Sequence, residues 1–289
     1  MQVLSIQSAV SYGHVGNSAA VFPLQRLGHE VLPVNTVLFS NHTGYGAWRG
    51  PVVAGDDVRE IVLGIEERGA MSGIGLVLSG YQGSPQIAEV ILDAVERVKR
   101  ANPDAVYACD PVMGNARSGC FVDPAIPPLL RDRVIPRADL ITPNQFELGF
   151  LTGALDPERD RPDLAAVIDA AHAARSLGPE TVLVTSHAHA DSDPDTIGML
   201  VVNGDGAWSI STPRLPMKSN GSGDVTAALF SAHLVSTGDV ATALARTASS
   251  VFDLLENTLE AKSRELRLVQ SQESYAHPRL QFEVTRISG

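Results

Sequence analysis

The chain has 289 residues, 44% hydrophobic and 19% charged, a balance that excludes a disordered polymer and is long enough to bury a substantial core. Its net charge of −11 excludes an extended nucleic-acid footprint, which needs a basic patch. A small anionic substrate remains compatible, because backbone amides at a helix N-terminus and a divalent cation can hold phosphates on an acidic protein.

In chain order, Val3 to Ile6 predicts a strand, Ser18 to Leu27 a helix closed by Gly28, and Glu30 to Val34 a second strand. Asn41 to Gly46 then falls in a long loop. Asp57 to Arg68 has apolar residues at helical spacing, and Ile74 to Leu78 is a continuous apolar strand. Pro85 to Arg100 places Ile87, Val90, Ile91, Ala94, Val95 and Val98 on one helical face. Strands are predicted at Ala105 to Cys109, Asp139 to Thr142 and Thr181 to Val184, with a helix from Leu164 to Leu177 before the last of these. Met199 to Val202 and Ala207 to Ile210 flank Asn203-Gly204-Asp205-Gly206, a hairpin signal that predicts an antiparallel edge. Helices follow from Val225 and from Val240 to Lys262.

Apolar strands alternating with helices predict an α/β fold with a mostly parallel sheet covered on both faces. No linker or composition break interrupts it, so one domain over residues 1–289 is expected. The start lacks a signal peptide's basic region and apolar core, and no apolar run reaches the ~18 residues that span a bilayer. Two cysteines, Cys109 and Cys120, make no disulfide framework and predict a reducing, cytoplasmic setting.

Catalytic groups in such folds gather at the carboxyl ends of strands. Asn220-Gly221-Ser222-Gly223-Asp224 precedes the helical run from Val225. Glycines at a helix mouth turn consecutive amides toward one point, an anion hole suited to a transferring phosphoryl group. A carboxylate there is useful as the base that takes the proton of an attacking hydroxyl, although Asp224 also reads as an ordinary first-turn acid. Asp110 follows a buried strand and reads as a turn residue or a metal ligand; Asn144 and Glu147 read as a capping box or as further hard-oxygen donors for Mg²⁺. Ser8, the Asn41 to Gly46 loop and Ser79-Gly80-Tyr81 follow three other strands and can line a pocket for a planar ring. His187 and His189, without further spaced ligands, predict a surface loop rather than a metal site. No P-loop and no Gly-x-Gly-x-x-Gly after the first strand are present.

These segments resemble the ribokinase-like superfamily, whose mark is Gly221-Ser222-Gly223-Asp224, and within it the pyridoxal kinase branch. The branch is carried by Ile6-Gln7-Ser8, Tyr12 to Ala20, Phe39 to Gly46, Leu78 to Tyr81 and Cys109 to Gly114. The resemblance implies a three-layer sandwich, a homodimer, Mg²⁺ with a monovalent cation such as K⁺, and phosphorylation of pyridoxal by ATP. It implies that Asp224 deprotonates the 5′-hydroxyl while the amides of Gly221, Ser222 and Gly223 hold the γ-phosphate. Asp110 and Glu147 would organise Mg²⁺ through water. Ser8, Thr43 and Gly44 would contact the pyridine ring, with Tyr81 near it, and Thr142, Thr185, Thr212, Pro213, Arg214 and Leu215 would lie along ATP.

Two departures stand out. Ala9 replaces a histidine common after the first-motif serine, so that ring contact is lost or supplied elsewhere. Thr185 stands where many relatives carry lysine, which removes a positive contact to the nucleotide. Cys120 reads either as a small buried side chain or as a thiol able to add to the substrate aldehyde from a covering loop. The alternatives are a kinase for another hydroxymethyl heterocycle such as hydroxymethylpyrimidine, a non-catalytic carrier of pyridoxal phosphate and, more distantly, a nicotinamide-dependent oxidoreductase.

Overall fold

The computed structural model of the chain describes residues 1–155 and 161–287. Its strands are β1 (Gln2–Tyr12), β2 (Glu30–Asn41), β3 (Ile74–Ser79), β4 (Val106–Cys109), β5 (Gly114–Asn115), β6 (Gly119–Cys120), β7 (Leu140–Ile141), β8 (Thr181–His187), β9 (Thr196–Asn203), β10 (Gly206–Pro213) and β11 (Thr285–Ile287). The helices are α1 (Asn17–Arg26), α2 (Gly55–Glu67), α3 (Pro85–Ala101), α4 (Ile126–Leu129), α5 (Gln145–Thr152), α6 (Leu164–Arg175), α7 (Ser222–Thr237), α8 (Val240–Glu260) and α9 (Gln272–Ala276). Among the described residues, nine strands form one sheet in the order β2-β1-β3-β4-β7-β8-β9-β10-β11, while β5 and β6 make a small hairpin of their own. Neighbours from β2 to β8 are parallel, and β9, β10 and β11 add antiparallel pairings.

The two-residue period of the strands divides the core. Leu76, Leu78, Leu183 and Val201 pack on one face against Leu24, Phe230 and Leu244 of α1, α7 and α8. Their neighbours Val77, Val182, Val184, Leu200 and Val202 pack on the other, against Ile87, Ile91, Val167 and Ala171 of α3 and α6. Each central strand is apolar on both sides because both sides are covered, which makes the predicted three-layer sandwich. Among the described residues no helix is long and apolar enough to cross a membrane.

Several boundaries differ from the sequence reading. β2 runs on to Asn41, so the expected loop is shorter, with a single 3-10 turn at Thr43–Tyr45. Helix α7 starts at Ser222 rather than Val225, because Gly221 takes φ +88° as its N-cap and lets the glycine turn itself begin the helix. His187 is not in a surface loop: it is 2% exposed at the end of β8 and stacks on His189 with ring centroids 5.9 Å apart. Burial lowers its pKa to about 4, so the ring is neutral. Cys120 is exposed on β6, which rules out a small buried side chain. The edge strand β11 was unmarked in the sequence.

Candidate active site

The parallel strands deliver their carboxyl ends to one rim, and a cavity of about 640 Å³ lies there. Ser8 reaches it from β1, where the register with β2 slips between Gln7 and Ala9 and re-aims the strand. Thr43 enters from the 3-10 turn, Tyr81 from the loop after β3, Asp110 from the end of β4, and Thr142, Asn144 and Glu147 from the β7–α5 junction. Thr185, two residues before the end of β8, lies on the same rim, and Gly221, Ser222, Gly223 and Asp224 close the floor. Gly44 does not line this cavity; it is exposed, and its N–H donates to His42 Nδ1 at 3.1 Å.

The floor is shaped by close approach. A Cβ on Gly221 would lie 1.8 Å from the carbonyl oxygen of His14, so only glycine admits this contact. A Cβ on Gly223 would meet nothing within 4 Å and would point into open space. The first N–H groups of α7 have no intrahelical acceptor, and no side chain caps them, so the Ser222 and Gly223 amides remain available to an anion. The backbone N–H groups of Gly16 and of Asp224 itself lie near the Asp224 carboxylate and pull its pKa down against burial.

Three carboxylates share this space, Asp110 and Glu147 buried and Asp224 half-buried. Asp110 Oδ1 accepts from Thr142 Oγ1 at 3.0 Å. Glu147 Oε1 accepts from Met113 N at 2.9 Å and Gly114 N at 3.3 Å, and Oε2 accepts from Asn144 N at 3.0 Å. The last bond and Asn144 Oδ1 accepting from Glu147 N form the capping box of α5, so Glu147 both caps a helix and holds the loop after Asp110. Burial, then Glu147 and Asp224, push the Asp110 pKa well up. Burial raises Glu147 to about 7 and Asp224 to about 6. No Lys or Arg is among the described residues lining the cavity.

A cation relieves such a cluster. Among the described residues no three of His, Cys, Asp and Glu converge as an all-protein metal cage. The donor set instead fits an ion that keeps water and takes few protein ligands, as Mg²⁺ does.

The sequence did not point to the apolar wall. Val10, Phe39, Trp48, Val52 and Phe121 line it, with Phe39 and Trp48 ring centroids 6.1 Å apart, a surface suited to a flat heterocycle. His42 lines it too; burial lowers its pKa, and with Nδ1 accepting from Gly44 its proton sits on Nε2 as a donor. Ala9 is absent from the lining, so His42 is the imidazole that this cavity holds.

A second cavity of about 290 Å³ adjoins the first and shares Thr185, Ser222 and Gly223 with it. Thr212, Pro213, Arg214 and Leu215 form one wall and Val251, Phe252 and Leu255 of α8 the other. The four β10-end residues thus lie across the glycine turn from Ser8 and Thr43. Cys120 lines neither cavity, although Asn115 and Phe121 on either side of its hairpin line the first.

A C-terminal segment buttresses the rim. Glu265 Oε2 accepts from His14 N at 3.1 Å, and Oε1 accepts from the hydroxyl of Tyr45. The Arg264 guanidinium lies 3.6 Å over the Tyr45 ring, and Leu266, 2% exposed, packs beside Gly221.

Residues 73–268 match the family model described as phosphomethylpyrimidine kinase. The chain is 68% identical to pyridoxal kinase PdxY of Leifsonia xyli subsp. xyli over 99% of its own length and all of that protein, and 61% identical to that of Corynebacterium diphtheriae with both chains fully covered. Among solved structures it is similar to pyridoxal kinase from Leishmania donovani in complex with ADP and pyridoxamine, with a TM-score of 0.91, 31% identity and 99% of each chain covered.

Proposed function

The chain belongs to the pyridoxal kinase family, and on that premise we propose that it phosphorylates the 5′-hydroxyl of pyridoxal with ATP, as one kinase domain over residues 1–289. One observation carries the reading: a half-buried carboxylate, Asp224, sits in the first turn of α7 beside two free amides, facing a cavity with an apolar wall.

In this reading Asp224 accepts the proton of the 5′-hydroxyl as it attacks, and the amides of Gly221, Ser222 and Gly223 take up charge on the γ-phosphate. Ser8, Thr43 and Tyr81 hold the pyridine ring. Thr142, Thr185 and the segment from Thr212 to Leu215 lie along ATP. Asp110 and Glu147 are the residues that hold Mg²⁺ through water, which when bound neutralises phosphate charge. A monovalent cation such as K⁺, a homodimer and a cytoplasmic setting come with the family resemblance; light scattering at twice the 30.6 kDa chain mass checks the dimer.

The direct test is formation of pyridoxal 5′-phosphate from pyridoxal, Mg²⁺ and ATP, followed by absorbance. A second reading, a hydroxymethylpyrimidine kinase, draws on the family model's description, but that match begins at residue 73 and leaves out Ser8 and Thr43. Turnover on both substrates compared side by side separates the two. A carrier of pyridoxal phosphate would consume no ATP.

Activity should depend on pH through Asp224. Its pKa near 6 means that the base is protonated, and so unable to accept, in acid. Accordingly kcat/KM is expected to fall about tenfold per pH unit well below that value and to level off above it. A flat profile from pH 5 to 8 would contradict the assignment.

Asp110→Asn should stabilise and disable together. Asparagine keeps an acceptor for Thr142 while removing a charge that burial and its neighbours disfavour. Because the folded pKa is raised, the stability this group contributes is full below the unfolded value and lost as pH rises through the folded one. At pH 8, without ligands, the thermal midpoint of Asp110→Asn is expected to rise by a few degrees, while turnover falls.

A further inference from the structure

The chain carries a net charge of −11, yet three arginines line one pocket beside the active site. A side pocket of about 540 Å³ is lined by Arg117, Arg161 and Arg214, with no Asp or Glu among its described lining. The main cavity shows the reverse composition, three carboxylates and no Lys or Arg among its described lining. The two spaces meet at Asn115, Asn144 and Ser186, and the side pocket meets the smaller cavity at Ser186, Ile197 and Arg214. Ser186 therefore stands where all three open onto one another.

The backbone at that junction is unusual. Ser186 has φ +47°, and among the described residues only Lys262 is a second non-glycine with positive φ. The β8–β9 register also shifts between Val184 and His187, so a bulge sits there. Strain of this kind persists where the surrounding structure imposes it, and it gathers at ligand sites.

The arginines differ in what holds them. Arg161 donates from Nε to His189 O at 3.1 Å and from Nη2 to Ser192 Oγ at 2.8 Å, which fixes it as a wall. Arg214 makes one bond, from Nη2 to Thr196 O at 3.1 Å. Arg117 is exposed on the β5–β6 turn, where Asn115 Oδ1 accepts from its backbone N–H at 3.1 Å. Among the described residues neither Arg117 nor Arg214 forms an ion pair.

We propose that this arginine pocket receives the α- and β-phosphates of the nucleotide, with Arg117 and Arg214 as the cationic contacts and Arg161 as the brace. The inference rests on the kinase reading. With the base in the smaller cavity and the γ-phosphate over the Gly221 turn, the intervening phosphates pass Ser186, where the pocket opens. Guanidinium groups bind phosphate oxygens by paired, charge-assisted bonds. They also offset the repulsion that three carboxylates exert on a polyphosphate, from a side where no acid is among the described lining residues.

Calorimetry with ADP and with adenosine, on wild type, Arg117→Ala, Arg214→Ala and the double variant, tests this. Each single change is expected to weaken ADP, in the presence of Mg²⁺, by roughly tenfold or more. Adenosine should bind all four proteins equally, and Arg214→Lys should recover part of the loss. Equal losses for ADP and adenosine would mean a damaged base slot, and unchanged ADP affinity would mean a solvated pocket; either overturns the proposal. The two readings fail separately. A wild type that makes no pyridoxal 5′-phosphate but loses ADP selectively in the variants sinks the kinase assignment and keeps the pocket. Normal turnover with an unaltered KM for ATP in the double variant does the opposite.

Discussion

Asp224→Asn is expected to lower kcat by about 10²–10⁴-fold while leaving pyridoxal and nucleotide bound. Asparagine has the same shape and keeps a polar oxygen facing the Gly16 backbone, so the floor of the cavity stays in place. What it lacks is a lone pair basic enough to take the proton of an attacking alcohol. Removing the charge also relieves repulsion toward both Asp110 and the incoming phosphates, so ADP affinity should hold or improve. Steady-state formation of pyridoxal 5′-phosphate gives kcat, and titration with ADP gives binding. A variant within tenfold of wild type would remove Asp224 as the base. The acid limb of the pH profile offers an internal control, because it should vanish with the residue that produces it.

Gly221→Ala is expected to cost about 10²–10³-fold in kcat, the scale seen when one oxyanion donor is lost. The added methyl would need to sit 1.8 Å from His14 O and 3.3 Å from Leu266 Cδ1. The His14 backbone cannot easily retreat, since its N–H is held by Glu265 at 3.1 Å. Alanine is also disfavoured at φ +88°. The turn must open, and the Ser222 and Gly223 amides swing off their target. The thermal midpoint should drop by several degrees with it. Gly223→Ala is the matched comparison: its methyl meets nothing within 4 Å, so the fold should stand and the effect should fall on ATP. Wild-type kcat in Gly221→Ala would show that the turn's geometry is not what holds the phosphate.

Much of this arrangement could be read in the residues. Continuous apolar runs placed the central strands, and the three- and four-residue spacing in Pro85 to Arg100 placed α3 with all six of its marked core positions buried. The Asn144–Glu147 spacing predicted a capping box that the structure contains. The rule that strand ends carry function then selected Ser8, Tyr81, Asp110, Asn144 and Glu147, and the family resemblance added Thr142 and Thr185; all of them line one cavity. What escaped was long-range. Glu265 meets Tyr45 across 220 positions and His14 across 251, and no local pattern encodes such pairings. The strand end at His187 looked like loop because an acidic turn follows it, yet its burial is decided by packing around β8. The arginines of the side pocket come from three separate segments, so their clustering exists only in the fold. The raised carboxylate pKa values have the same origin: ordinary aspartates and glutamates become unusual when burial brings them together without a counter-charge.

The anchoring of His14 and Tyr45 by Glu265, with Leu266 beneath the Gly221 turn, bears on the order in which the protein comes into being. Synthesis delivers the whole sheet up to β10 and both long C-terminal helices before residue 265 emerges. A nascent chain halted at Ala261 would hold most of its core and still lack the tie between the loop at His14 and the turn at Tyr45. A chain truncated at Ala261 is therefore expected to form pyridoxal 5′-phosphate far more slowly than the whole chain.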